Sequence, residues 1–345
     1  MSVLKESQHL KISFKDIKRA TNNFRECIGT GGYGMVYKGE LTLHGNRTTV
    51  AVKRLNEQYG QGLKEFLMEI QLLTGQNHPN LISLIGYCDE KNEKLIVYEY
   101  AEHRSLDRYL MRNGNSNSNS SSNNTTYSLT WLERLRICVH AARGLDHLHN
   151  HARNHQAIIH RDVKSSNILL DHNWIAKISD LGLSKLSLSG LDQSYVISKP
   201  CGTLGYCDPV YYDTSVVTKE SDVYSFGMVL FEVFCGRLCF VKYEDGFILS
   251  AAFVKRCYEE KKLDDIIDPA LRGQVSYDLM NKFSSIAYQC LHGDRAQRPP
   301  MNRVKNELED LLKIQYLLEM STNPYVEAPS VGSLYFPIPT QPFGA

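Results

Sequence analysis

An acid, an amide and a second acid stand in fixed order near the middle of this 345-residue chain. Asp162 lies in His160-Arg161-Asp162-Val163-Lys164-Ser165-Ser166-Asn167, and Asp180 opens Asp180-Leu181-Gly182. A carboxylate such as Asp162 can accept or orient the proton of an attacking hydroxyl. The amide oxygen of Asn167 and the carboxylate of Asp180 suit a hard cation such as Mg²⁺, which takes oxygen ligands from protein and phosphate together. Phosphoryl transfer needs few groups at strict spacing, because its catalysis is mostly positioning and neutralisation of negative charge. A lone aspartate is usually a solvated surface carboxylate, but a string of this length carries far more specificity.

Upstream, Ile28-Gly29-Thr30-Gly31-Gly32-Tyr33-Gly34-Met35-Val36 contains a GxGxxG pattern, with Gly29, Gly31 and Gly34 as its glycines. Dinucleotide-binding folds share that pattern, but there the glycines open a helix. Here residues 36–41 and 49–55 continue in β-rich alternation across a Gly45-Asn46 turn, which predicts a hairpin whose glycine tip folds over phosphates. Within Val50-Ala51-Val52-Lys53-Arg54-Leu55, the period of two puts Ala51 and Lys53 on one face and the valines on the other. Ala51 can then line an adenine slot while Lys53 reaches the α- and β-phosphates.

The elements that must position these groups follow from periodicity. Residues 62–75 predict a helix with Leu63, Phe66, Leu67, Ile70 and Leu73 as its apolar stripe. Glu69 falls on the flank of that stripe, so its carboxylate can turn inward to Lys53; the plainer reading is a helix-surface glutamate. Gly75 and Pro79 end the helix, and residues 81–87 and 95–100 read as two more strands of a small antiparallel sheet. The second strand runs into Val97-Tyr98-Glu99-Tyr100-Ala101, where a second lobe would join.

Ser13-Phe14-Lys15-Asp16 fits a capping box opening a lead-in helix with Phe14, Ile17, Ala20 and Phe24 at helical spacing. Residues 113–126 are almost wholly asparagine, serine and threonine, too polar and small to bury anything, and predict a disordered insertion. Thr130 begins a long helix through Leu148. It ends among His147, His149, His151 and His155, which lack cysteine or acid partners at ligand spacing and read as a polar helix end rather than a metal site. The proline-rich tail from Gln315 shows no helical period and is expected to be flexible.

Composition sets limits on the setting. The length calls for two lobes or domains. Lys plus Arg (39) against Asp plus Glu (38) leaves +1, with no general pull towards nucleic acid, which is not expected as a partner. The nine scattered cysteines lack zinc-ligand spacing and read as reduced thiols of a cytoplasmic protein. The amino end lacks the basic-then-apolar pattern of a signal peptide and Ser2 does not fit a myristoylation signal, so the chain is expected to start inside the cell. The apolar stretch 223–241 carries Glu232 and Arg237 and reads as a buried helix, so no direct membrane span is expected.

Together these motifs make residues 24–312 resemble the eukaryotic protein kinase fold, and most closely the plant receptor-like kinases of the Pelle type, in a receptor-like cytoplasmic form or as the intracellular part of a receptor. The strings that carry the closer likeness are Ile17-Lys18-Arg19-Ala20-Thr21-Asn22-Asn23-Phe24, His78-Pro79-Asn80-Leu81-Ile82-Ser83-Leu84-Ile85-Gly86-Tyr87-Cys88 and Asp222-Val223-Tyr224-Ser225-Phe226-Gly227. The resemblance implies an α+β bilobal architecture: a lead-in helix in 1–23, an antiparallel-sheet N-lobe with one main helix in 24–98, a mainly helical C-lobe in 99–313 and a tail in 314–345. It implies ATP and Mg²⁺ as cofactors, Ser/Thr-bearing protein substrates and an upstream membrane receptor kinase as partner. Residue by residue, it makes Asp162 the base, places Lys164 against the transferring phosphate, pairs Lys53 with Glu69 and gives the metal to Asn167 and Asp180. It adds Ile28, Gly29, Gly31, Gly32, Gly34, Val36, Ala51 and Leu169 to the nucleotide site, with Tyr98 as gatekeeper and the backbone of Glu99 and Ala101 on adenine.

Two departures stand out. Leu181 replaces the usual phenylalanine, an exchange that still allows packing beneath the glutamate-bearing helix. Asp208-Pro209-Val210 lacks the usual glutamate of the activation segment, the partner of an arginine that here is Arg298. An unpaired Arg298 would loosen the substrate-binding loop, and Val210→Glu would restore it. That loss also supports the alternative of a weak or inactive kinase-fold scaffold or decoy. Arg161 implies a basic pocket for a phosphorylated segment, with Ser187, Ser189, Ser194, Ser198 and Thr203 as available hydroxyls. Thr203 matches the position that contacts Asp162 and Lys164, leaving Ser194 or Ser198 as the activating site.

Overall fold

The computed structural model describes residues 2–31, 34–43, 45–55, 62–90, 92–110, 127–151, 156–187, 195–243, 246 and 248–322. The insertion predicted at 113–126, Gly32, Ser189, Ser194, His155 and residues 323–345 lie outside them. The chain forms two lobes. The first holds α1 (Ser2–Glu6), α2 (Phe14–Ala20), β1 (Cys27–Gly31), β2 (Gly34–Leu43), β3 (Asn46–Leu55), α3 (Gly62–Leu73), β4 (Leu84–Glu90) and β5 (Glu93–Glu99). Its antiparallel strands run in the order β1-β2-β3-β5-β4. The glycine-rich segment leads into a strand, so the dinucleotide alternative falls. Gly45 takes the predicted turn at φ 84°, where a side chain would be strained. Alternation in β3 works as the period of two requires: Val50 and Val52 are buried with Ile17, Leu95 and Val97 under α2, while Ala51 and Lys53 face the cleft.

Ser13 caps α2 by accepting from the Asp16 amide at 3.1 Å. The helix stops at Ala20 because Asn22, Asn23 and Phe24 turn left-handed, which still returns the Phe24 ring onto Phe14 at 6.2 Å. The lead-in region holds more than the one predicted helix: α1 and a 3₁₀ turn at Gln8–Leu10 precede Ser13.

The second lobe is mainly helical. Its strands are short: β6 (Arg104–Ser105), β7 (Ala157–Ile159), β8 (Ile168–Leu170), β9 (Ala176–Ile178), β10 (Lys185–Ser187), β11 (Tyr195–Ile197) and β12 (Val216–Thr218). Its helices are α4 (Asp107–Leu110), α5 (Trp131–Asp146), α6 (Pro209–Thr214), α7 (Lys219–Cys235), α8 (Ala251–Glu259), α9 (Leu263–Ile266), α10 (Tyr277–Cys290) and α11 (Met301–Thr322). Thr130 and Glu133 complete a capping box at α5, which gives way to a π-helical turn at His147–His151. Helix α7 is buried along nearly its whole length, which explains why its sequence is apolar on every side. Among the described residues no helix is long and apolar enough to cross a membrane.

Helix α11 corrects the tail boundary. The chain stays helical to Thr322, beyond the expected break at 314, because Leu311, Leu312 and Tyr316 bury against the core beside α5. Apolar spacing spread over 22 residues that include Asn302, Glu307 and Asp310 dilutes the periodic signal near its end.

Candidate active site

A cleft of about 660 Å³ opens between the lobes, within the usual size of a small-molecule site. The glycine strand supplies its roof with Ile28, Gly29, Gly31, Gly34 and Val36; Ala51 and Lys53 come from β3, Tyr98 and Glu99 from β5, Ala101 from the connection, and Leu169 from β8. Lys164, Asn167 and Asp180 close the floor. Every described residue predicted for nucleotide contact therefore lines one cavity. The carboxylate of Glu99 accepts from the Ser83 amide at 2.7 Å and pairs with Lys177 at 3.1 Å, so what Glu99 offers the cleft is its backbone.

Lys53 ties three elements together. Its ammonium lies 3.2 Å from Glu69 Oε2 on α3 and 2.6 Å from Asp180 Oδ1 on the opposite side of the cleft. Burial alone would lower the lysine, but the Asp180 and Glu69 carboxylates outweigh it and hold it above its ordinary value. The same pairing with Lys53 holds Asp180 below the usual carboxylate range against burial. Glu69 is buried more deeply, and burial pushes it up against the pull of Lys53. Tyr98 stands at the back of the cleft, its phenol raised by burial and by Glu69.

The floor is built around Asp162. Lys164 Nζ lies 2.8 Å from Asp162 Oδ2. Thr203 donates to Asp162 Oδ1 and accepts from Lys164, each at 2.7 Å, which places this hydroxyl as the architectural contact expected of it. Asn167 directs its amide nitrogen to the Asp162 carbonyl (2.8 Å) and to Oδ2 (3.2 Å). Its amide oxygen is then the group left for a cation, and Asp180 has only Oδ1 engaged by Lys53 among the described residues. One amide oxygen and one carboxylate oxygen match the donor set of Mg²⁺ shared with phosphates. Arg161 and Asp180 both sit at positive φ, 73° and 65°; such conformations cost energy and persist only where surroundings enforce them.

Asp222 enforces the first of them. From the first turn of α7 it accepts from the backbone amides of His160 (2.7 Å) and Arg161 (2.8 Å) and meets His149 at 2.9 Å. His160 in turn reaches the Ser179 carbonyl at 2.9 Å, fixing the residue before Asp180. In the sequence Asp222 stands only as the first residue of the Asp222–Gly227 string, with no task assigned; the signal that could have found it is the last acid before the apolar run of α7. The histidines at the end of α5 do separate work, with His149 on Asp222 and His147 stacked on His78 at 4.5 Å. Leu181 is fully buried in the main core, with α3 packed over residues 181–183.

The expectation for Arg298 is corrected. Its guanidinium lies 2.9 Å from Asp208 Oδ1, and Arg295 lies 2.7 Å from Asp208 Oδ2. Asp208 also caps α6 by accepting from the Val210 amide at 3.1 Å. The carboxylate that holds the arginine thus sits two positions before Val210, and no charge is stranded. Arg161 donates to the Leu183 carbonyl (2.8 Å), the Ser198 hydroxyl (3.1 Å), the Lys199 carbonyl (3.0 Å) and Tyr211. Ser187, by contrast, is buried.

Comparison with known proteins agrees with this geometry. A family model described as protein tyrosine and serine/threonine kinase matches residues 23–308. Among similar proteins of Arabidopsis thaliana, a probable receptor-like protein kinase is 43% identical over 88% of this chain and 34% of its own length. Receptor-like protein kinase HERK 1 is 44% identical over 88% of this chain and 35% of its own. Receptor-like protein kinase FERONIA is 42% identical over 88% and 32%. The chain spans about a third of the length of these curated relatives.

Proposed function

The chain belongs to the protein tyrosine and serine/threonine kinase family, and from that premise we propose that it is a serine/threonine protein kinase of plant receptor-kinase signalling. It transfers the γ-phosphate of ATP to hydroxyls of protein substrates, and works in the cytoplasm, reaching the plasma membrane through an upstream receptor kinase. The observation that carries this reading is the convergence of Lys53, Glu69 and Asp180 over the Asp162–Lys164–Thr203 floor.

In this reading Asp162 takes the proton of the acceptor hydroxyl, with Asn167 and Thr203 fixing its carboxylate. Lys53, held by Glu69, orients the α- and β-phosphates, and Lys164 meets the transferring group. Asn167 and Asp180 would hold Mg²⁺, which when bound would neutralise charge on the phosphates. Lys164 beside Asp162 supports serine and threonine as acceptors, as in the serine/threonine kinases the sequence resembles. Ile28, Val36, Ala51 and Leu169 enclose adenine, with Tyr98 as gatekeeper.

The alternative of an inactive scaffold rested on an unpaired Arg298, and Asp208 removes that support. The test is ATP- and Mg²⁺-dependent autophosphorylation of the purified chain with Asp180→Asn as control. Phosphoserine or phosphothreonine in the parent alone supports the reading; equal incorporation in both, or phosphotyrosine only, refutes it.

A further inference from the structure

Helix α3 carries Glu69 towards Lys53, and the contacts of its buried Phe66 and Ile70 must hold it there. Beyond β4, β5 and the 181–183 segment, that task falls to the first residues of the chain, which the Asp162 and Lys53 chemistry leaves unused. Leu4 and Leu10 pack against the main core, which contains Phe66 and Ile70 of α3. The buried Ser7 hydroxyl lies 3.0 Å from that of Thr74, the residue directly after α3.

Tyr87 of β4 grips this segment at two points. Its carbonyl accepts from the Ile12 amide at 2.8 Å, and its hydroxyl donates to the Leu4 carbonyl at 3.2 Å. Its ring meets Phe66 of α3 edge-on, with centroids 6.0 Å apart. Phe66 lies one turn before Glu69 on the same helix. Gly86 completes the fit: a Cβ there would stand 2.6 Å from both the Leu10 carbonyl oxygen and Ile12 Cδ1, so the segment can lie on β4 only because that residue has no side chain.

We propose that residues 4–12 form a strap that holds α3 in its inward position, with Tyr87 as the positioning residue that couples the strap to Phe66 and so to the Lys53–Glu69 pair. The proposal rests on the role assigned to that pair above. Releasing the strap lets α3 swing outward on its remaining contacts, which removes Glu69 from Lys53 in a fraction of molecules. Such a population shift lowers turnover without altering the nucleotide contacts of the rest.

The test uses the full chain. Gly86→Val wedges the strap off β4, and Tyr87→Phe removes only the hydroxyl bond while keeping the ring on Phe66. Both variants should speed amide hydrogen exchange in 2–12 and in 62–73. Tyr87→Phe should lower kcat about two- to tenfold, the worth of one hydrogen bond, and Gly86→Val at least as much, with KM for ATP moving less than about twofold in both. Faster exchange in 2–12 with α3 exchange and kcat at parent values overturns the proposal and makes the strap a passive cover. If Gly86→Val fails to fold, Tyr87→Phe decides by the same readouts. Glu69→Gln separates the two levels: unchanged kcat in that variant overturns the role of the Lys53–Glu69 pair, whereas slow α3 exchange in strap-released variants overturns the strap alone.

Discussion

Asp208 and Arg298 meet at 2.9 Å with both side chains sealed from solvent, and Arg295 joins the same carboxylate from the other side. The activation segment is therefore anchored to the helical lobe by the residue that also caps α6, not by the position after the proline.

Replacing Asp208 by asparagine leaves two guanidinium groups with no counter-charge, one of them buried. The expected loss is about 3–5 kcal/mol, read by urea or thermal melting. Val210→Glu should give no gain in melting temperature, because Arg298 already has its partner.

The pH dependence of this anchor has a definite sign. Burial opposes it, but Arg298 and Arg295 hold the Asp208 carboxyl below the ordinary range. Its stabilising contribution is present above the unfolded carboxylate pKa and lost as pH falls through the depressed value. The melting-temperature gap between parent and Asp208→Asn should accordingly close only in acid.

Asp162→Asn should cut kcat by about 10²–10⁴, the usual worth of a positioned general base. Its affinity for ATP should change little, since the side chain lies beneath the nucleotide contacts rather than among them. Single-turnover rates together with calorimetric ATP titration check both halves.

Ser198 is the activation-segment hydroxyl that the structure sets against Arg161, at 3.1 Å. A phosphate there would gain a charge-assisted bond to the guanidinium. Phosphatase treatment and Ser198→Ala should each lower the rate, and a rate untouched by both would remove Ser198 from regulation.

Glu65, one turn before Glu69, is buried with Oε1 lacking a hydrogen-bond partner among the described residues. Burial is the main cause that pushes its carboxyl up to about 7, with Lys53 opposing. A raised folded pKa gives stability that is complete below the unfolded value and lost as pH rises through about 7. Melting temperatures of Glu65→Gln should therefore gain on the parent between about pH 5 and pH 8, and a gap independent of pH would contradict this.

Much of the site was legible because phosphoryl transfer restricts residue type and spacing together. Asp162, Asn167 and Asp180 could be read from their order, and Lys53 with Ala51 from strand alternation that survives into β3. The helix of Glu69 was legible from its apolar stripe, which lies one layer deep against a sheet. Less legible were contacts between residues far apart in sequence. Asp208 with Arg298, and Asp222 with the amides of His160 and Arg161, depend on where α7 and the segment between α10 and α11 lie. The same limit hid the strap, since only the approach of Leu10 and Ile12 to Gly86 gives that glycine its meaning.

The sequence by itself determined which chemical groups are present, the strand and helix that carry Lys53 and Glu69, and the membership of a two-lobed architecture, because these follow from local periodicity and from spacing within single segments. The tertiary structure alone decided which acid neutralises Arg298, which residue holds the strained Arg161 backbone and what packs beside the buried side of α3. Those outcomes depend on distances across the core, where a buried charge accepts whichever counter-charge the packing brings within about 3 Å.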